Sequence, residues 1–304
     1  LYEWIGKITG SPRTTRTLSL LSGWLPPTLV LVLCKGIGIL IYWLTGGNLR
    51  SKVLRNLLDL LPDHSDKERS SYNIQFFQNL IIILYEILLD SYRLPKSEGR
   101  RFQVKGEVHL TEALRMERGA IVYSPHVGNF FYYYWYLCQK YSCLTIATSG
   151  SSELRPLYLR FKELGCPGLD YDSTPPLELL RKLRKHLSEN GVVYILGDFW
   201  RPTFPESYFF GKKTRTPEGA ASLAIELQVP LVPFYGRRVR GFTHELVFEQ
   251  PLQLHAMYSR SQRADATRLL NSIMERVIRK NPAQWFYWFN AEERWEKEKV
   301  EAVQ

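Results

Sequence analysis

The chain has 304 residues, with 40 Lys and Arg against 30 Asp and Glu and a formal charge of +10. That length allows one sizeable hydrophobic core, and the basic balance points to acidic partners: anionic membrane lipid, an acidic carrier protein or nucleic acid. No zinc-finger spacing or RNA-binding signature is present, which sets nucleic acid aside, and no H-E-x-x-H motif, Walker loop, dinucleotide fingerprint or G-x-S-x-G elbow speaks for metal, nucleotide or serine-hydrolase chemistry.

Residues 1–17 are basic and polar, with Lys7, Arg13 and Arg16 ahead of the first apolar stretch. Thr28 to Leu44 is nearly continuous apolar sequence broken by Lys35, Gly36 and Gly38. It is slightly short of the roughly 20 residues that span a hydrocarbon core, and no small-residue cleavage site follows it. The expectation is a hydrophobic or interfacial anchor, with a buried core helix as the alternative. A second apolar helix is expected from Ser71 to Asp90, where Phe76, Phe77, Leu80, Ile81, Leu84, Ile87 and Leu88 recur at helical spacing, with Ser65 or Asp66 as an upstream cap.

From about Arg101 strands and helices alternate. Ala120 to Tyr123 reads as a short buried strand after a turn glycine, stopped by Pro125, and the aromatic run Phe130 to Tyr136 as a helix or second buried element. Leu177 to Leu187 reads as an amphipathic helix with Leu177, Leu180, Leu183 and Leu187 inward, closed by Asn190-Gly191. Val192 to Leu196 is expected as a buried strand opening into a loop at Gly197-Asp198; Glu218 to Gln228 as a helix; Leu231 to Tyr235 and Glu245 to Phe248 as strands. Such alternation implies an α/β domain with helices on both faces of a mostly parallel or mixed sheet. The expected organisation is an N-terminal helical region over 1–95, an α/β domain over 96–296 and a tail over 297–304. Cys34, Cys138, Cys143 and Cys166 form no C-x2-C pair and read as reduced thiols.

His126 and Asp198 are the candidate chemical groups. Each follows a strand, so adjacent strands would bring them to one crevice at the carboxyl ends of the sheet. An imidazole titrating near neutrality suits a general base; a backbone-bonded turn residue is the alternative for each. Around the cleft, Arg155, Arg201 and Arg237 are the candidate anion binders, chosen from a set that includes Arg215 and Arg238, because guanidinium forks match oxyanions. Trp285, Tyr287 and Trp288 suit either a membrane interface or core packing.

The stretch Ser124-Pro125-His126-Val127-Gly128-Asn129-Phe130-Phe131 resembles the H-x4-[DE] signature of the glycerolipid acyltransferase superfamily. The closer resemblance is to the lipid A secondary (lauroyl/myristoyl) acyltransferases, which read roughly H-F-G-N-W-E. His126, Gly128 and Asn129 fall in register; Phe131 stands where that family has its acid. Further blocks agree in order: Leu25-Pro26 through Asp66-Lys67-Glu68-Arg69, Phe209-Phe210-Gly211 through Pro233, and Asn281-Pro282-Ala283-Gln284-Trp285 with Trp288 and Arg294-Trp295, covering about residues 20–296. Asp198 to Arg201 also resembles the superfamily's E-G-T-R block, whose carboxylate and arginine lie in the acceptor site.

The resemblance implies a glycerolipid acyltransferase-like mixed sheet flanked by helices, with a membrane-associated N-terminal region. It implies direct transfer of a fatty acyl group from an acyl carrier protein or CoA thioester to a hydroxyl or amine of a lipid or glycolipid. His126 would be the base, Asp198 its acidic partner in place of the motif acid, and Gly128, Asn129, Arg155, Arg201 and Arg237 would contact substrate or stabilise the oxyanion. No metal or cofactor beyond the thioester donor is expected, and a monomer at the cytoplasmic face of a bacterial inner membrane is implied. The competing class is a silenced relative that binds lipid or carrier protein; a thioesterase or lipid hydrolase is a third.

Overall fold

The computed structural model describes residues 12–148 and 155–295. Among the described residues five α-helices come first: α1 (Pro12–Gly23), α2 (Pro27–Leu44), α3 (Gly46–Leu60), α4 (Asp66–Leu88) and α5 (Leu94–Arg101). Helix α2 turns only Val30, Cys34 and Gly38 inward, a stripe one residue wide at i, i+4 and i+8. Gly38 sits where a Cβ would come within 2.6 Å of the Gln78 Cα, so α2 and α4 cross backbone to backbone. Much of the outer surface here is apolar and uncovered: Leu20 and Leu21 of α1, Trp24 in the link, and Val32, Leu40, Trp43 and Leu44 of α2 are all exposed. At 18 residues, α2 is about 27 Å long, short of a hydrocarbon core of about 30 Å.

Helix α4 begins five residues before Ser71, because Ser65 and Glu68 close a capping box. The Glu68 amide donates to Ser65 Oγ at 3.3 Å and the Ser65 amide to Glu68 Oε2 at 2.8 Å.

The α/β part runs β1 (Phe102–Lys105), α6 (Glu107–Leu114), β2 (Ala120–Ser124), α7 (Phe130–Lys140), β3 (Cys143–Ala147), α8 (Arg155–Glu163), β4 (Gly168–Asp170), α9 (Pro176–Ser188), β5 (Val192–Leu196), a hairpin β6 (Glu206–Phe209) and β7 (Lys212–Arg215), α10 (Gly219–Glu226), β8 (Leu231–Arg240), β9 (Thr243–Phe248), α11 (Leu254–Met257) and α12 (Arg263–Lys280). Seven strands form one sheet in the order β1-β9-β8-β2-β5-β3-β4. Its pairings are parallel except β8 with β9, which makes the sheet mixed.

Strand β2 lies at the centre and is buried along its whole length. Its pleat sends Ile121 and Tyr123 into one core with α9, α10, α12 and the Trp285 region. Ala120 and Val122 go into a second core built on α7. The Tyr132–Tyr136 run and Trp285 and Trp288 are core residues, all buried, which settles the choice between belt and core.

One local feature differs from the sequence reading, and two more are explained by left-handed backbone. Leu177 is exposed, because the stripe that packs is Leu179, Leu183 and Leu187; position 177 lies about 120° away from Leu183 on a helix of 100° per residue. The left-handed residue after α9 is Asn190 at φ 59°, and its Oδ1 accepts from the Gly119 amide at 2.9 Å. The Phe209-Phe210-Gly211 motif is a hairpin corner. Phe210 and Gly211 have φ of 53° and 72°, the left-handed pair a two-residue turn requires, and Phe209 and Phe210 pack on the Trp285 ring. All four cysteines are free thiols.

Candidate active site

The site follows from the register of β2 and β5. Ser124 pairs with Leu196 at the carboxyl ends of these neighbouring parallel strands, so Pro125-His126 and Gly197-Asp198 leave the sheet side by side. The Gly197 amide donates to the Ser124 carbonyl at 2.9 Å. A Cβ at Gly197 would lie 1.9 Å from the Tyr123 hydroxyl, so this close crossing requires glycine.

Asp198 Oδ1 lies 2.6 Å from His126 Nδ1. The same carboxylate accepts from the His126 backbone amide at 3.1 and 3.0 Å and from Trp285 Nε1 at 2.8 Å. Burial works against its charged form, but the His126 ring, its hydrogen bonds, Arg294 and Trp285 outweigh that and hold the carboxyl below its usual range. Arg294 is itself buried, donates to the Asp198 backbone carbonyl and lies 4.0 Å from the Tyr287 ring centroid. An ionised acceptor on Nδ1 places the imidazole proton there and leaves the Nε2 lone pair free. Tyr287 Oη is 3.5 Å from Nε2, too long for a strong hydrogen bond.

His126 forms part of the wall of a cavity of about 1160 Å³, above the usual range of about 300–1,000 Å³ for small-molecule sites. Leu80, Ile83, Leu84 and Ile87 of α4 line one side, and Phe130, Phe131 and Phe161 another. Asp172, Ser173, Thr174, Glu218, Ser222 and Asn290 supply polar groups to the same lining. Phe131 stacks on Phe130 at 4.7 Å and packs against Phe161 at 5.1 Å. The position that holds an acid in the resembled motif is here part of an apolar wall.

The structure brings His126 and Asp198 together but spreads the other candidates. Gly128, at φ 65°, donates its amide to the Gln284 carbonyl at 2.9 Å, and its Cα packs under Tyr133. Asn129 is fully buried and caps α7 by accepting from the Tyr132 amide at 3.2 Å. Neither lines the cavity, and both build the histidine loop. Arg201 pairs with Asp172 at 3.0 Å beside the cavity lining. Arg237 is engaged by Glu245 at 2.7 Å, its partner on the neighbouring strand β9, and does not line the cavity. Arg155 opens α8, and its side chain lies outside the described residues.

Two groups escaped the sequence reading. The first is a buried polar cluster around Glu86 of α4. Arg238 grips it in a fork at 2.7 and 2.6 Å, His244 Nε2 lies 2.9 Å away and Asn129 Nδ2 donates at 2.9 Å. Burial opposes the Glu86 charge, but Arg238 and His244 more than compensate and hold it ionised. Breaking such a buried pair from one side costs about 3–5 kcal/mol in general. The cluster ties α4, the histidine loop and the β8–β9 hairpin together. One acid within the apolar run Leu80–Leu88 was the available signal. The second is the C-terminal segment. Val127 bridges Trp285, and the Phe286 amide donates to the His126 carbonyl at 2.9 Å, so residues 284–287 are laid against the histidine loop.

Over 160 residues the chain is 32% identical to a phosphatidylinositol mannoside acyltransferase of Mycolicibacterium smegmatis, covering 48% of this chain and 50% of that protein. A protein of the same name from Mycobacterium tuberculosis is 33% identical over 158 residues, covering 47% and 48%. The chain thus spans about half the length of the curated relatives it matches. Among solved structures it is similar to the 1-acyl-sn-glycerophosphate acyltransferase PlsC of Thermotoga maritima, with 15% identity, a TM-score of 0.41 and coverage of 85% of this chain and 97% of that one. The family described as bacterial lipid A biosynthesis acyltransferase matches residues 17–297, nearly the whole chain, and the chain belongs to that family.

Proposed function

We propose that this protein is a membrane-associated acyltransferase that moves a fatty acyl group from an acyl carrier protein or CoA thioester to a hydroxyl or amine of a lipid or glycolipid, with His126 as general base and Asp198 as its orienting carboxylate. The observation that carries the reading is the 2.6 Å contact between Asp198 Oδ1 and His126 Nδ1 at the wall of a large apolar cavity. The cavity takes the acyl chain, since each buried methylene contributes about 0.8 kcal/mol. Nε2 takes the proton of the acceptor as its heteroatom attacks the thioester carbonyl, and later returns it to the leaving thiolate. No metal or further cofactor enters this scheme. The rim pair Arg201–Asp172 supports acceptor binding, and the monomer accounts for the whole dyad.

The test is transfer of labelled acyl groups from acyl-CoA and acyl carrier protein thioesters to hydroxylated lipids in vesicles. Turnover with either donor is expected. Lipid binding without turnover would favour the silenced relative, and release of free fatty acid alone would favour a hydrolase.

The uncovered face of α1 and α2 supports docking on a bilayer, in this reading at the cytoplasmic face of a bacterial inner membrane. Trp24 is 89% and Leu44 73% exposed, so neither contributes to the core. Replacing Trp24, Leu40 and Leu44 together by Ser should weaken binding to anionic vesicles on the order of 10³-fold or more, since each apolar side chain is worth about 1.5–3 kcal/mol when fully buried. The melting temperature should not change. Undiminished co-sedimentation with vesicles would move the docking surface elsewhere.

A further inference from the structure

Acyl transfer creates a negative oxygen on the thioester carbonyl, and something must hold it. Backbone amides beside the histidine are the usual candidates, but here most are taken. The His126 amide donates to Asp198, Val127 to the Pro125 carbonyl at 2.8 Å, Gly128 to the Gln284 carbonyl at 2.9 Å and Asn129 to the Tyr133 hydroxyl at 2.9 Å. At the start of α7, the Tyr132 amide caps on Asn129 Oδ1 and the Tyr133 amide donates to the Asn129 carbonyl. With these six engaged, the loop leaves only the first-turn amides of Phe130 and Phe131 at the start of α7, and a side chain at the other edge of the ring is the remaining source of a donor.

One side chain is in place. The Tyr287 hydroxyl lies 3.5 Å from His126 Nε2, a polar side chain at the edge of the reacting nitrogen. The Tyr287 ring meets the His126 ring edge to face at 4.8 Å and lines the cavity. An acceptor oxygen hydrogen-bonded to Nε2 would sit beside this phenol, and so would the carbonyl it attacks. Behind the ring, Arg294 lies 4.0 Å from the Tyr287 centroid. Among the described residues no carboxylate forms an ion pair with Arg294, and its Nε has no hydrogen-bond partner. Its charge is balanced only by longer-range attraction to Asp198 and Glu293, so further negative charge developing next to it is favoured.

We propose that Tyr287 is a catalytic residue that donates its phenolic proton in a hydrogen bond to the oxyanion of acyl transfer, with Arg294 as the positioning residue that supplies positive charge behind it. The proposal rests on the acyltransferase reading above. As the acceptor oxygen attacks, its proton passes to His126 Nε2, its lone pair forms the new bond to the carbonyl carbon, and the carbonyl π pair moves onto oxygen, where the Tyr287 hydroxyl meets it. The pair then returns, the carbon–sulfur bond breaks, and the departing thiolate takes the proton from Nε2. Tyr287 keeps its own proton throughout. Burial, together with the Asp198 charge, pushes its ionisation up and keeps it a donor.

The experiment compares wild type with Tyr287→Phe and Arg294→Lys in steady-state transfer with a thioester donor, recording melting temperatures. Tyr287→Phe keeps the ring, so it should fold normally and lose about 10²-fold in kcat, the cost of deleting one oxyanion donor, with the acceptor KM within threefold of wild type. Arg294→Lys, which keeps the charge but not the fork, should fall between the two. If kcat of Tyr287→Phe stays within threefold of wild type, or if only KM rises, the phenol does not serve the oxyanion. An inert wild type would sink the acyltransferase reading and this proposal together; an active wild type with an unimpaired Tyr287→Phe would sink the proposal alone.

Discussion

Asp198→Asn should slow acyl transfer by roughly 10⁴-fold, the loss that follows when a serine protease loses the carboxylate behind its histidine, or about 5 kcal/mol of barrier. Every partner of the Asp198 carboxylate is a donor: the His126 amide, His126 Nδ1–H and Trp285 Nε1–H. An asparagine offers one acceptor oxygen and an NH₂ that must face one of those donors. The imidazole escapes the clash by moving its proton to Nε2, where it blocks the lone pair that the acceptor needs. The loss should therefore fall on kcat rather than KM, and one orphaned buried donor should cost about 1–3 kcal/mol of stability. His126→Ala should be at least as slow. The double variant should be no slower than His126→Ala, because residues acting as one unit are not additive. Steady-state kinetics on the four proteins decide this: if the two losses multiply, His126 and Asp198 work independently and the dyad fails. The pH dependence has a fixed sign. A carboxyl held below its ordinary value of about 3.9 contributes stability that is fully present above that pH and is lost as pH falls through the folded value. The Asn variant should lack that acid limb.

The dyad was legible in the sequence because it depends on local signals. Ala120–Tyr123 and Val192–Leu196 are short apolar runs that end in Pro125 and Gly197, and two buried parallel strands in register bring the residues after them together. The environment of the dyad was not legible, because it is set by contacts across 43 to 161 residues: Asn129 to Glu86 and His126 to Tyr287. Gly128 was assigned to substrate for the same reason. Its string matches a catalytic motif, but its φ of 65° and its bond to the Gln284 carbonyl show a residue that shapes the loop. Asn129 likewise serves the helix cap and Glu86 at once. Arg238 was placed in the cleft set but not chosen, and only the fold reveals that the lone acid of the apolar run Leu80–Leu88 is its partner. Edge strands such as Gly168–Asp170 were missed because three residues are too few to show a period.

Phe131→Glu, which restores the acid of the resembled motif, should lower both activity and stability. In this fold His126 Nδ1 already has its carboxylate, and Nε2 faces the cavity. A second acid could support the ring only by occupying the nitrogen that substrate requires. The new side chain would also replace a ring packed between Phe130 and Phe161 with a carboxylate lacking a partner there. An apolar wall favours the neutral form, so the acid's ionisation should rise above its ordinary value of about 4.3. A raised carboxyl gives the opposite sign to Asp198: the unfolded chain releases its proton first, so the variant loses stability as pH climbs from about 4 through the folded value. Melting temperatures between pH 4 and 8 should show a gap from wild type that widens with pH. Kinetics at neutral pH should show a lower rate and a higher KM for long-chain donors, because charge now borders the acyl cavity. Phe131→Leu, which keeps the wall apolar, should lose far less. A clear gain in rate from Phe131→Glu over a slow wild type would overturn this account and mark the chain as a relative silenced by the loss of that one acid.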